Sequence, residues 1–196
     1  MNVNLIVSLI ATVISGVFAG IVFRQYLARR RPYQLVWSLA ILVFALGTFF
    51  QFLAELGGWT PFVYRAWYYT GAMAAAALLG QGTVYLQAPR KLADVTGTIL
   101  AIIFLNGVVL VSATPVDLGK ALTAQGVTGD GFPTTLLILL IPLNVYGTVT
   151  LCGGALWSFV HFWRSGKLGR RALGTFLIAV GGLTVAAGGT ANRLGI

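Results

Sequence analysis

The chain has 196 residues, 58% hydrophobic and only 9% charged, too apolar to hide its surface in a water-soluble core of that size. Its 13 Lys and Arg against 4 Asp and Glu give a formal charge of +9, which in a soluble chain would suggest nucleic acid; here the placement of the cations argues otherwise. One cysteine, Cys152, excludes an intrachain disulfide and any cysteine-based metal site.

A helix that crosses a bilayer needs about 20 mostly apolar residues, and six runs qualify: residues 3–23, 33–55, 62–86, 95–113, 134–162 and 172–191. They predict an all-α, polytopic membrane helical bundle of six transmembrane helices, a single domain over residues 1–196 with no soluble part. The first run opens on Met1-Asn2-Val3-Asn4, without the cationic leader of a secretory signal, and is expected to stay as a helix. Its Gly16 and Gly20 form a GxxxG pair of the kind that lets helix backbones approach closely in lipid.

The second run ends at Glu55, and Gly57 to Pro61 makes a tight hairpin into the third. A charge on a membrane helix is costly unless it is paired, hydrated or near the interface. Glu55 and Arg65 are therefore expected to face each other as a salt bridge, with Trp59, Tyr64, Trp67, Tyr68 and Tyr69 as an aromatic belt at the headgroup level. Gln51 lies one turn below Glu55, and Tyr68 and Tyr69 lie one turn below Arg65. With Asn106 in the fourth run and Asn144 in the fifth, these residues would make a polar pocket in the outer half of the bundle. Gln81, Tyr85 and Gln87 would continue the stripe. A stripe across the membrane reads as a path and one that stops reads as glue; the sequence leaves both open.

Ala72 and Ala76 form a further small-residue pair, and Ala88 to Asp94 makes a tight loop. In the long connection Thr114 to Pro133, Asp117 is expected to cap a short helix running to Gln125, forming an interfacial helix or lid before Gly129-Asp130-Gly131 turns the chain. The fifth run as one helix would be about 43 Å long against a hydrocarbon core of about 30 Å. It must tilt, project or bend, and Pro142 supplies a kink by displacing the bond to the Ile138 carbonyl. Cys152 reads as packing, and His161 as an interfacial residue beside Trp157 and Trp163. After a tight Ser165 to Arg171 loop, the sixth run is smooth on one side, with Gly181, Gly182, Gly188 and Gly189 as candidate helix-packing positions.

Ten of the 13 cations fall in alternate connections. Arg24, Arg29, Arg30 and Arg31 follow the first run, Arg90 and Lys91 the third, and Arg164, Lys167, Arg170 and Arg171 the fifth, leaving Arg65, Lys120 and Arg193 on the other side. Short cationic loops stay cytoplasmic, so the N-terminus is expected outside. The basic inner face also suits anionic headgroups. The expected location is a bacterial cytoplasmic (inner) membrane. A shift that lays Arg24 on Arg164 and Phe23 on Trp163 also lays Arg30 and Arg31 on Arg170 and Arg171. That match is consistent with a three-plus-one-plus-three plan lacking its seventh helix.

Catalytic signatures are missing. A single histidine builds neither an HExxH zinc site nor a two-histidine haem site, and no GxSxG elbow, P-loop or GxGxxG occurs. Lys91, Lys120 and Lys167 read as loop residues, so none is placed for a retinal Schiff base; Asp94, Asp117 and Asp130 sit at edges, not at the depth an intramembrane aspartyl protease needs. The motifs imply no catalytic residue, metal ligand or cofactor. The favoured expectation is a non-enzymatic auxiliary or assembly subunit that packs against partner membrane proteins, lipids or pigments, or against itself. The alternative is a small-solute transporter or channel using the outer polar pocket. A membrane enzyme ranks third, since four acidic residues and one histidine make a paired acid and base hard to assemble.

Overall fold

A computed structural model describes residues 3–123, 126–165 and 173–184. The chain is mostly helical. α1 (Val3–Arg29) and α2 (Pro32–Gly57) are followed by a third helical run in three parts: α3 (Pro61–Trp67), a π-helical segment (Tyr68–Ala74) and α4 (Ala75–Gln87). Then come α5 (Arg90–Ala113), the short α6 (Leu118–Ala121), two paired strands β1 (Leu122–Thr123) and β2 (Gly126–Val127), and α7 (Leu137–Arg164). A shorter apolar helix, α8 (Leu173–Thr184), closes the described residues.

Among the described residues, four helices are long and apolar enough to cross a membrane: α1, α2, α5 and Thr134–Arg164, in which a 3-10 turn leads into α7. The third of the six expected runs is helical throughout but divided by its π-segment. The sixth is described only over α8, and the Ser165 to Arg171 loop, Gly188 and Gly189 lie wholly or mostly outside the described residues.

Local chemistry explains the helix ends. Pro32 and Pro61 open α2 and α3, where a missing N–H costs nothing. Thr60 caps α3 by accepting from the Val63 N–H at 3.3 Å. Gly58, at φ 89°, ends α2 by donating its N–H to the Ala54 carbonyl. The expected Ala88 to Asp94 loop shrinks to Ala88-Pro89, because α5 begins at Arg90. Hydropathy falls where charge begins, yet Arg and Lys are good helix formers, and Arg90 grips Asp94 one turn on at 2.9 Å. Between α1 and α2, Arg30 takes the left-handed φ of 51°, a conformation that costs a non-glycine residue about 1–3 kcal/mol.

The third helical run is the hub, packed by α2 on one side and α7 on another, with α5 lying more lightly against it and α1 packed chiefly on α2. Small residues make these crossings close. A Cβ on Gly47 would sit 2.9 Å from the Gly71 Cα, and one on Gly147 would sit 2.4 Å from the Ala76 carbonyl carbon and oxygen. Gly82 admits the edge of Trp37, whose Nε1 donates to the Leu79 carbonyl at 3.2 Å. Of the glycines expected to pack, Gly182 faces the Cys152 sulfur, while an added Cβ on Gly16, Gly20 or Gly181 meets nothing within 4 Å among the described residues. Among the described residues the GxxxG pair on α1 makes no close crossing: α1 turns Ser8, Ala19 and Val22 inward, and its Thr12 hydroxyl donates to the Thr48 hydroxyl of α2 at 3.0 Å.

At the hairpin end the long connection folds onto the third run. Asp117 caps α6, accepting from the Gly119 and Lys120 N–H groups at 3.0 and 3.3 Å. The helix stops after Ala121 instead of reaching Gln125, since Leu122 pairs with Val127 and Thr123 with Gly126. Gly126, at φ 131°, permits the turn, and so short a helix has little stability of its own. Pro142 lies inside α7, which continues past it to Arg164.

Candidate functional site

Arg65 does not pair with Glu55. Its Nε donates to the Val111 carbonyl at 3.0 Å and its Nη2 to the Thr114 carbonyl at 2.9 Å. These carbonyls close α5, where the last turn has no intrahelical donor and the helix dipole is negative. A guanidinium fork meets both at once, which a sequence search for an acidic partner does not anticipate. Among the described residues the ion pairs are Arg90–Asp94 and Lys120–Asp117, both local.

Two further residues of the expected pocket act in the same way. The Tyr69 hydroxyl donates to the Phe104 carbonyl of α5 at 3.0 Å. Asn144 Nδ2 donates to the Ala72 carbonyl in the π-segment at 2.9 Å and to the Leu140 carbonyl of its own helix at 3.0 Å. The π-segment, whose end is marked by the Ala75 N–H reaching back five residues to Thr70, brings α7 and α5 to one stretch of backbone. Gln51 and Glu55 are half-buried on α2 and take no side-chain hydrogen bond among the described residues. Asn106 is exposed and bonds back to the Ile102 carbonyl at 2.8 Å. The predicted pocket therefore separates into interhelical ties (Arg65, Tyr69, Asn144), a pair on α2 (Gln51, Glu55) and an outward-facing carboxamide (Asn106).

The aromatic belt is also revised. Tyr64 and Tyr68 are 0% exposed and pack on Phe132, at ring distances of 5.4 and 4.7 Å. Trp59 sits edge-on to Tyr64 and Trp67, at 6.2 and 5.6 Å. The Tyr64 hydroxyl donates to the Thr128 carbonyl at 2.8 Å and accepts from the Gly131 N–H at 3.2 Å. The aromatics form an inward plug under the long connection, because each ring that stacks on another is removed from lipid and water together.

The other half of the stripe continues the pattern. Gln81, 3% exposed, donates from Nε2 to the Ala93 carbonyl at 2.7 Å and accepts at Oε1 from the Tyr146 hydroxyl, joining α4 to α5 and α7. The Tyr85 hydroxyl donates to Asp94 at 3.0 Å. Gln87 Nε2 donates to the Gly154 carbonyl and the Ser158 hydroxyl at 2.8 and 2.9 Å. Sequence reasoning missed Gln34, which is 3% exposed in the first turn of α2 with its Oε1 buried and without a hydrogen-bond partner among the described residues. Its place beside the arginine run, where water is near, makes it look like an ordinary interfacial residue.

Donors aimed at carbonyls of a neighbouring helix can fix its position and register. They are not free to bind a solute. His161 is exposed near the end of α7, and among the described residues no three His, Cys, Asp or Glu side chains gather. No family model, curated protein or solved structure matches the chain, so the reading rests on this geometry.

Arg65→Met, which leaves the two α5 carbonyls without their charged donor, is expected to lower stability by about 1–3 kcal/mol. Glu55→Gln is expected to shift it by less than about 0.5 kcal/mol. Thermal melts in one mild detergent separate them; equal losses would restore the ion pair.

Proposed function

We propose that this chain is a non-enzymatic multi-pass membrane protein acting as an auxiliary or assembly subunit. In this reading the chain crosses a bacterial cytoplasmic membrane six times, with its N-terminus outside and its cationic connections inside. The observation that carries the reading is the commitment of Arg65, Tyr69, Gln81 and Asn144 to main-chain carbonyls of neighbouring helices. Polar groups used as ties make a rigid body and leave little chemistry for turnover or passage. A small-solute transporter or channel ranks second, since it needs those same groups turned towards water.

The partner-facing surface falls on α1 in this reading. An added Cβ on Gly16 or Gly20 would meet nothing within 4 Å among the described residues, and small residues in lipid permit close helix approach. Gly16→Leu/Gly20→Leu is therefore expected to leave the monomer's melt unchanged or raised by up to about 1 kcal/mol per glycine through helix propensity. It should also release the chain from the larger assembly in which the wild type leaves native membranes in mild detergent. A wild-type chain recovered only as a monomer would refute the subunit reading.

A further inference from the structure

At the basic end of the bundle lies a second polar arrangement, separate from the ties. Arg29 ends α1 and Arg31 precedes α2. The one residue between them, Arg30, takes its left-handed turn with the guanidinium over the Tyr26 ring, 5.7 Å from its centroid. Arg29 and Arg31 line one open cavity of about 670 Å³ with Pro32, Tyr33, Tyr85 and Leu86. No carboxylate lines it. Asp94, which the Tyr85 hydroxyl reaches, is already held by Arg90, and Arg90 itself lies 5.2 Å from the centre of the Tyr85 ring. Neither Arg29 nor Arg31 has an ion pair or hydrogen bond among the described residues.

Two guanidiniums sharing a cavity without a counter-charge repel each other, and an anion with several acceptor oxygens removes that repulsion. A phosphate ester fits: it takes bidentate bonds from arginine, and the Tyr33 hydroxyl supplies a neutral donor beside it, the Tyr85 hydroxyl being committed to Asp94. The 26-residue α2 begins at this cavity with Pro32 and Tyr33 and has no acidic residue in its first turn, so its positive end adds to the field. The cavity sits where the apolar stretches give way to the arginine run, the level of lipid headgroups. Exposed Leu27 and Leu86 on the flanking helices offer an apolar path for an acyl chain. We propose that this cavity binds the phosphate headgroup of an anionic membrane lipid.

The test is native mass spectrometry of the full chain released from neutral detergent, titrated separately with phosphatidylglycerol, phosphatidylcholine and inorganic phosphate. One phosphatidylglycerol per chain is expected to be retained in preference to phosphatidylcholine. Arg29→Gln/Arg31→Gln should weaken it at least about tenfold, while Arg24→Gln/Arg164→Gln, equal in net charge, should stay within about twofold. Leu86→Trp, which fills the cavity at unchanged charge, should also lose the lipid. Arg29→Lys/Arg31→Lys keeps charge and turn without the planar fork, and should weaken binding about threefold. Equal losses from the two glutamine pairs, retention by Leu86→Trp, full affinity in the lysine pair, or displacement of the lipid by an equal concentration of inorganic phosphate would each overturn the site.

Discussion

Gly147→Val is expected to cost about 3 kcal/mol or more and to leave little folded protein in detergent. The Cβ it adds would lie 2.4 Å from the Ala76 carbonyl carbon and oxygen and 2.7 Å from the Ala77 nitrogen. Those neighbours are backbone, so no side chain can swing aside, and α7 would have to move off the third helical run. Overpacking a close contact typically costs about 1–3 kcal/mol, and more where the obstacle cannot relax. Gly80 faces Gly147 from the other side, its added Cβ 2.8 Å from the Gly147 Cα. Gly153 lies on α7 with nothing within 4 Å of an added Cβ among the described residues, so Gly153→Ala should be neutral or stabilise by up to about 1 kcal/mol through helix propensity. Reversible unfolding in mixed micelles, followed by circular dichroism, reads both. A Gly147→Val chain as stable as wild type would mean that α7 does not pack where it is placed.

Gln81→Leu is expected to cost about 1–3 kcal/mol, the second largest loss. Leucine fills similar space, but it takes the acceptor from the Tyr146 hydroxyl on α7 and one of two side-chain donors from the Ala93 carbonyl on α5, which keeps the Thr96 hydroxyl at 3.2 Å. A buried group left without its partner costs about 1–3 kcal/mol. Interhelical hydrogen bonds measured in membrane proteins average nearer 0.6 kcal/mol, and the near-complete burial of Gln81 decides for the larger figure. Gln81→Leu/Tyr146→Phe removes the hydroxyl that lost its acceptor and should be more stable than Gln81→Leu alone. If the double variant loses the sum of the two single losses, the residues act separately and the node is not formed.

The long apolar stretches, the Gly57 to Pro61 hairpin and the Asp117 cap could be read from the residues, because each depends on local composition or on a partner two or three positions away. What could not be read depends on distance along the chain. Arg65 finds its partners at Val111 and Thr114, and a helix end is a partner that no letter announces. Glu55, ten positions away, was the nearest visible alternative. The GxxxG pattern was located on α1, while the close crossings fall on Gly47, Gly71, Gly80 and Gly147. A glycine's spacing permits an approach without naming the helix that makes it. The signal that was available lay in Gly80-Gln81-Gly82, a polar residue between two glycines in a run otherwise apolar. The π-segment left no signal that periodicity detects, since one extra residue in a turn rotates everything after it and blurs the apolar face. Tyr64 and Tyr68, read as belt residues by type, are one turn apart and share the inward face.

In the proposed reading Arg65, Tyr69 and Asn144 hold helices together in a dry interior. With Cys152→Ala as background, Asn144→Cys in liposomes should resist a membrane-impermeant maleimide from both sides, while Glu55→Cys at the end of α2 reacts from one. Rapid labelling of Asn144→Cys, slowed by an added solute, would reveal a wet pocket and contradict it.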